Sequence, residues 1–118
     1  MTISNIHEDK HTTSGNGVNT RHTYTFTATI SNPSDKDISS WSVLMDLGTN
    51  GVFSGVTDGA KATSDAENNS VKFSSLGTNG TIPAYGSATF TFVVATSNRY
   101  TWAPSFSNAV GKHINIDL

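Results

Sequence analysis

Residues 30–47 constrain the fold more than any other stretch, because a polar turn there separates two runs that alternate apolar and polar side chains. Before the turn, Tyr24, Phe26, Ala28 and Ile30 alternate with Thr25, Thr27, Thr29 and Ser31; after it, Trp41, Val43, Met45 and Leu47 alternate with Ser40, Ser42 and Asp46. A period of two is that of a strand with one buried face. Asn32-Pro33-Ser34-Asp35 reads as the turn, since proline fixes φ and lacks a donor while Asn, Ser and Asp side chains bond their own backbone. Two antiparallel strands follow, over about 22–31 and 38–47, with Trp41 pointing inward.

The same patterning recurs along the chain. Ser87 to Ala95 is the clearest strand, with Ala88, Phe90, Phe92 and Val94 inward and Thr89, Thr91 and Val93 outward. Ser70 to Leu76 puts Val71 and Phe73 on one face, and Phe106–Val110 and His113–Leu118 close the fold. Thr2–Ile6 reads as a short first strand, His7–Thr20 as polar with its turn at Ser14-Gly15-Asn16-Gly17, Val52–Val56 as a short run, and Thr57–Asn69 as a polar span. Leu47-Gly-Thr-Asn-Gly51 recurs as Leu76-Gly-Thr-Asn-Gly80, one turn used twice and not a solenoid repeat. Short strands with turn signals at this spacing predict a single all-β domain over residues 1–118, an antiparallel β-sandwich of immunoglobulin-like, Greek-key type.

Composition narrows the function. Ser, Thr, Asn and Gly make up nearly half of the 118 residues, which suits hydroxylated outer strand faces and not a helical bundle. Seven basic against nine acidic residues leave no polybasic footprint for nucleic acid or anionic lipid. The chain holds no run of 18 apolar residues, so no membrane partner is expected, and residues 1–20 hold no apolar signal-peptide core. With no cysteine, there is neither a disulfide framework nor a thiolate metal site.

Three segments, Ile30-Ser-Asn-Pro-Ser with Ile38-Ser-Ser-Trp41-Ser-Val, then Asn79-Gly-Thr-Ile-Pro83-Ala-Tyr-Gly-Ser-Ala-Thr-Phe90-Thr-Phe92, then Pro104-Ser-Phe106-Ser, resemble the cellulose-binding type of carbohydrate-binding module, family 2. They stand in that family's order and cover most of residues 22–107. The resemblance implies a non-catalytic polysaccharide binder that stacks exposed rings on sugar faces, secreted and carried in a larger glycoside hydrolase. The family's three exposed Trp positions fall here near Thr20, at Val56 or Thr57, and at Thr78, none of them aromatic, and its terminal cysteine pair is missing. The fold is therefore better supported than binding to crystalline cellulose.

Several sites compete for the chemistry. Tyr100 and Trp102, at i and i+2 beside Arg99, are the candidate ring platform, with Thr78 and Asn79 as hydroxyl partners; the competing reading has Trp102 plugging an open end of the sandwich. Phe53 and Tyr85 are further aromatic candidates, Phe53 leaning to the core. His7-Glu8-Asp9-Lys10-His11 matches the H-E-x-x-H zinc motif in letters, but no helical period surrounds it; if extended, His7, Asp9 and His11 would share a face. Asp58, Asp65, Glu67 and Asn68 offer oxygens for calcium without the D-x-D-x-D-G series, so a solvated loop is the expectation. No metal or other cofactor is expected. No nucleophile elbow or facing carboxylate pair marks an enzyme, so the second function class is a structural or protein-interaction sandwich.

Overall fold

The computed structural model describes residues 1–15, 20–48, 51–97 and 105–113. Among them run eight strands: β1 (Thr2–Ser14), β2 (Arg21–Ser31), β3 (Ile38–Asp46), β4 (Gly51–Asp58), β5 (Lys61–Asp65), β6 (Ser70–Ser74), β7 (Ser87–Ser97) and β8 (Ser105–His113). They form two antiparallel four-stranded sheets, β1-β2-β7-β4 and β5-β6-β3-β8. Only β1–β2 and β5–β6 are joined as neighbours within a sheet; the other connections cross between the layers, which is the expected Greek-key sandwich.

The alternation of β2, β3 and β7 decides what lies between the sheets. Tyr24, Phe26, Ala28 and Ile30 of β2 meet Phe90, Phe92 and Val94 of β7 across one layer, and Trp41, Val43 and Met45 of β3 meet Val71 and Phe73 of β6 across the other. Trp41 is 3% exposed, as its pattern requires. Phe73 joins the layers, with ring centroids 4.8 Å from Phe90 and 5.3 Å from Phe92, and Phe53 sits half-buried with its ring edge-on to Phe73 at 5.7 Å. Each such buried ring contributes about 1.5–3 kcal/mol of transfer free energy.

The differences from expectation lie at the sheet edges. The first strand does not stop at Ile6 but continues to Ser14, paired with β2 from Thr2↔Ser31 to Ser14↔Arg21. The supposed polar span 57–69 contains β5, and the short run at 52–56 belongs to β4. All three are edge strands, which pair on one side only; β1 and β5 carry mostly polar, exposed residues, and in β4 a bulge between Phe53 and Thr57 breaks the alternation. Phe106–Val110 lies in the longer β8, while Ile114, Ile116 and Leu118 lie outside the described residues.

Candidate functional site

Residues 75–86 cross one end of the sandwich from β6 to β7, and they are held by two buried anchors. The first is Trp41, whose indole N–H donates to the Asn79 carbonyl at 3.1 Å. Asn79 turns back on itself: its side-chain oxygen accepts the Leu76 N–H at 2.8 Å, and its amide nitrogen donates to the Gly59 carbonyl. The second anchor is Asn32, 1% exposed, whose amide nitrogen donates to the carbonyls of Lys36 at 2.7 Å and of Ile82 and Pro83 at 3.1 Å. Its oxygen accepts from the Ser34 N–H and hydroxyl. Asn79, proposed from sequence as a hydroxyl partner, therefore has both ends of its amide engaged in closing the core. Thr78 beside it is exposed.

The crossover presents one ring. Tyr85 is 74% exposed and takes φ of 60°, a left-handed conformation that side chains rarely adopt, held by its N–H on the Ser34 carbonyl.

Arg99, Tyr100 and Trp102 lie outside the described residues. The strand ends that bracket them are described: Ser97 pairs with Arg21 and Ser105 pairs with Asp46. Thr78 and Asn79 follow the other end of β6, where Ser74 pairs with Ser42. Asn79 bonds to Gly59, which approaches the Thr89 carbonyl, and Thr89 is eight residues along β7 from Ser97, about 25 Å at strand rise. Thr78 and Asn79 thus stand at the opposite end of the sheets from Ser97 and Ser105, the described residues that flank the other three candidates.

At the Ser105 end, the outer face of the β5-β6-β3-β8 sheet carries a groove of about 430 Å³. Asp46, Asp65, Asn68, Ser70 and Lys72 line it over an apolar floor from Leu44. Register explains the grouping, since Asp46 and Asp65 both lie opposite Ser70, while Leu44 and Thr63 lie opposite Lys72. The Asp65 carboxylate accepts from the Asn68 side chain at 2.8 Å and from the N–H groups of Glu67 and Asn68 at 3.1 and 3.3 Å. The Asn68 side chain first, then these backbone bonds, hold its carboxyl below the ordinary 3.8. Such a groove offers fixed acceptors and an ammonium donor to a hydroxyl-rich ligand, with Leu44 for an apolar face. The signal for Asp46 and Lys72 was in the sequence as the outward positions of β3 and β6.

The remaining candidates divide. Asp58 sits on β4 opposite Thr91, whereas Asp65 ends β5 and Glu67 and Asn68 lie in the turn that follows it, so the four do not form one cage. Among the described residues no group of three His, Cys, Asp or Glu side chains converges for a metal. Near Val56, β4 bulges: residues 54–56 face Val93 alone, and the hydroxyls of Ser54 and Thr57 donate to the Val93 and Thr91 carbonyls at 2.8 and 2.7 Å. Val52, before the bulge, and Val56, within it, are 59% and 58% exposed.

No protein-family model and no curated protein matches this chain. Among solved structures it is similar to chitinase ChiA74 from Bacillus thuringiensis, with 25% identity and a TM-score of 0.56 over 87% of this chain and 14% of that one. It is also similar to the chitin-binding domain of a chitinase from Pyrococcus furiosus, with 18% identity and a TM-score of 0.47 over 93% of this chain and 100% of that one. The chain thus spans a small part of the Bacillus chitinase.

Proposed function

We propose that this chain is a non-catalytic, secreted polysaccharide-binding domain that serves a larger glycoside hydrolase, and that its ligand is a chitin-like β-linked glycan. The observation that carries this reading is the match, at 25% identity, of nearly the whole chain to a 14% portion of a chitinase, a size relation suited to an accessory domain. The resemblance of the Asn79–Phe92 and Trp41 segments to family 2 carbohydrate-binding modules points to the same class. In this reading Tyr100 and Trp102 stack on the C–H faces of sugar rings. Arg99 and Lys72 donate to ring and acetamido oxygens, and Asp46, Asp65 and Asn68 accept from hydroxyls. Asn79, with both ends of its side-chain amide engaged, takes the separate part of closing the 75–86 crossover.

Pull-down on insoluble chitin, cellulose and xylan tests the reading, with Trp102→Ala and Asp46→Ala beside the wild type. Retention on chitin that falls in both variants supports it, and no retention on any glycan overturns it. The second reading, a protein-interaction sandwich, is favoured by the exposed Val52 and Val56 on edge strand β4. It would take over if glycan retention were absent.

A further inference from the structure

Along β6, Val71 and Phe73 point into the core, so Ser70, Lys72 and Ser74 belong to the outer face. Lys72 is exposed as that face requires, yet Ser70 is only 8% exposed, deep in the groove that it helps to line. Its neighbours are the cause. Asp46 on β3 and Asp65 on β5 stand opposite it, one on each side, and Asn68 lines the groove beside them. Among the described residues no hydrogen bond reaches the Ser70 hydroxyl. A polar group covered in this way is costly unless a partner reaches it, and the open side is the groove.

The two carboxylates do not suit a bare metal ion. They stand on the strands either side of β6, about 10 Å apart at two inter-strand spacings, whereas calcium holds its oxygens at about 2.3–2.6 Å. Each is also tied to its own turn. Asp46 Oδ1 accepts the Gly48 N–H at 2.8 Å, and Asp65 is held by Glu67 and Asn68, so neither leans across Ser70. Both keep acceptor capacity on the second oxygen. Two carboxylates against the one ammonium of Lys72 leave the groove net negative, so it favours a cation wide enough to meet both walls. An ammonium carried on a sugar ring has that width. The next row along the strands, Leu44, Lys72 and Thr63, supplies a donor and an apolar contact for a neighbouring acetamido group.

We propose that this groove is a subsite for a partly deacetylated, chitin-like glycan, taking the protonated amine of a 2-amino sugar between Asp46 and Asp65 above Ser70. The assignment rests on the polysaccharide-binding reading above and adds to it the charge of the preferred ligand. Ser70 accepts from the ammonium or donates to a ring oxygen, and the acetamido group of an adjacent unit lies on Lys72 and Leu44.

The test is calorimetric titration of the full chain with two probes of equal length, an N-acetylglucosamine hexamer and the same hexamer with half its acetyl groups removed. At about pH 5.5 the free amines are protonated. The partly deacetylated hexamer should bind at least about fivefold more tightly at low salt, with the gap closing as salt is raised. Asp46→Asn and Asp65→Asn, which keep the shape, should each lower that ratio about threefold, and Lys72→Gln, which removes a repelling cation, should raise it. Glu8→Gln, an exposed charge on β1 of the other sheet, should leave the ratio unchanged. Circular dichroism of each variant establishes that it is folded. Equal affinity for the two hexamers, a ratio unmoved by both aspartate variants, or a Glu8→Gln effect as large as theirs overturns the subsite while the polysaccharide reading stands. Binding of neither hexamer overturns both.

Discussion

The indole nitrogen of Trp41 and the main-chain carbonyl of Asn79 are 3.1 Å apart, a hydrogen bond that ties the centre of β3 to the crossover closing one end of the sandwich. The ring also packs on Phe90, with centroids 5.5 Å apart. Trp41→Phe keeps most of the packing and orphans the carbonyl, for an expected loss of about 1–3 kcal/mol. Trp41→Ala opens a cavity as well, for about 3–5 kcal/mol. Urea denaturation of the two variants separates packing from hydrogen bonding; an unchanged midpoint in Trp41→Phe would show that the bond carries no weight.

Asn32 is the most demanding polar position described. Its amide nitrogen faces three carbonyl oxygens, so Asn32→Asp would set a buried anion against three acceptors while leaving the shape unchanged. The expected loss is about 3 kcal/mol or more, read from the same urea curves at pH 7. Stability close to wild type would mean that the turn rearranges freely.

Two glycines of the Leu76-Gly-Thr-Asn-Gly80 turn should respond differently. A Cβ on Gly80 would stand 2.8 Å from the Ser39 carbonyl, whereas one on Gly77 meets nothing within 4 Å. Gly80→Ala is expected to cost about 1–3 kcal/mol and Gly77→Ala to stay within about 0.5 kcal/mol, both measured by thermal unfolding. Equal effects would contradict the close approach.

These positions show what the sequence made legible. The inner strands β2, β3 and β7 were readable because each buries one face, and burial writes a period of two. Edge strands β1, β4 and β5 bury little, so their letters looked like loops. Tyr85 was readable only as a ring in a turn, since its exposure depends on a left-handed backbone. The groove was harder still, for it rests on the register that sets Asp46 and Asp65 opposite Ser70 from strands far apart in sequence. The parting of His7 and His11 onto opposite faces of β1 needed the bulge at Asp9, which no alternation signals.

Asp65 should titrate abnormally. Its carboxyl lies below 3.8 in the folded chain because the Asn68 side chain, then backbone N–H groups, bond the charged form. A depressed value contributes stability above the unfolded pKa, lost as pH falls below 3.8 through the folded value. Carboxyl-carbon NMR titration should place Asp65 below the ordinary range, and Asn68→Ala should move it upward. A value unmoved by Asn68→Ala would contradict the stated cause.

The most direct test of the glycan-binding account is an amide and indole NMR titration with a soluble chitooligosaccharide. Saturable shifts are expected at the Trp102 indole and at the amides of Asn68 and Lys72, with the 75–86 crossover unmoved. Shifts confined to Thr78–Tyr85, or none at any oligosaccharide concentration, would contradict it.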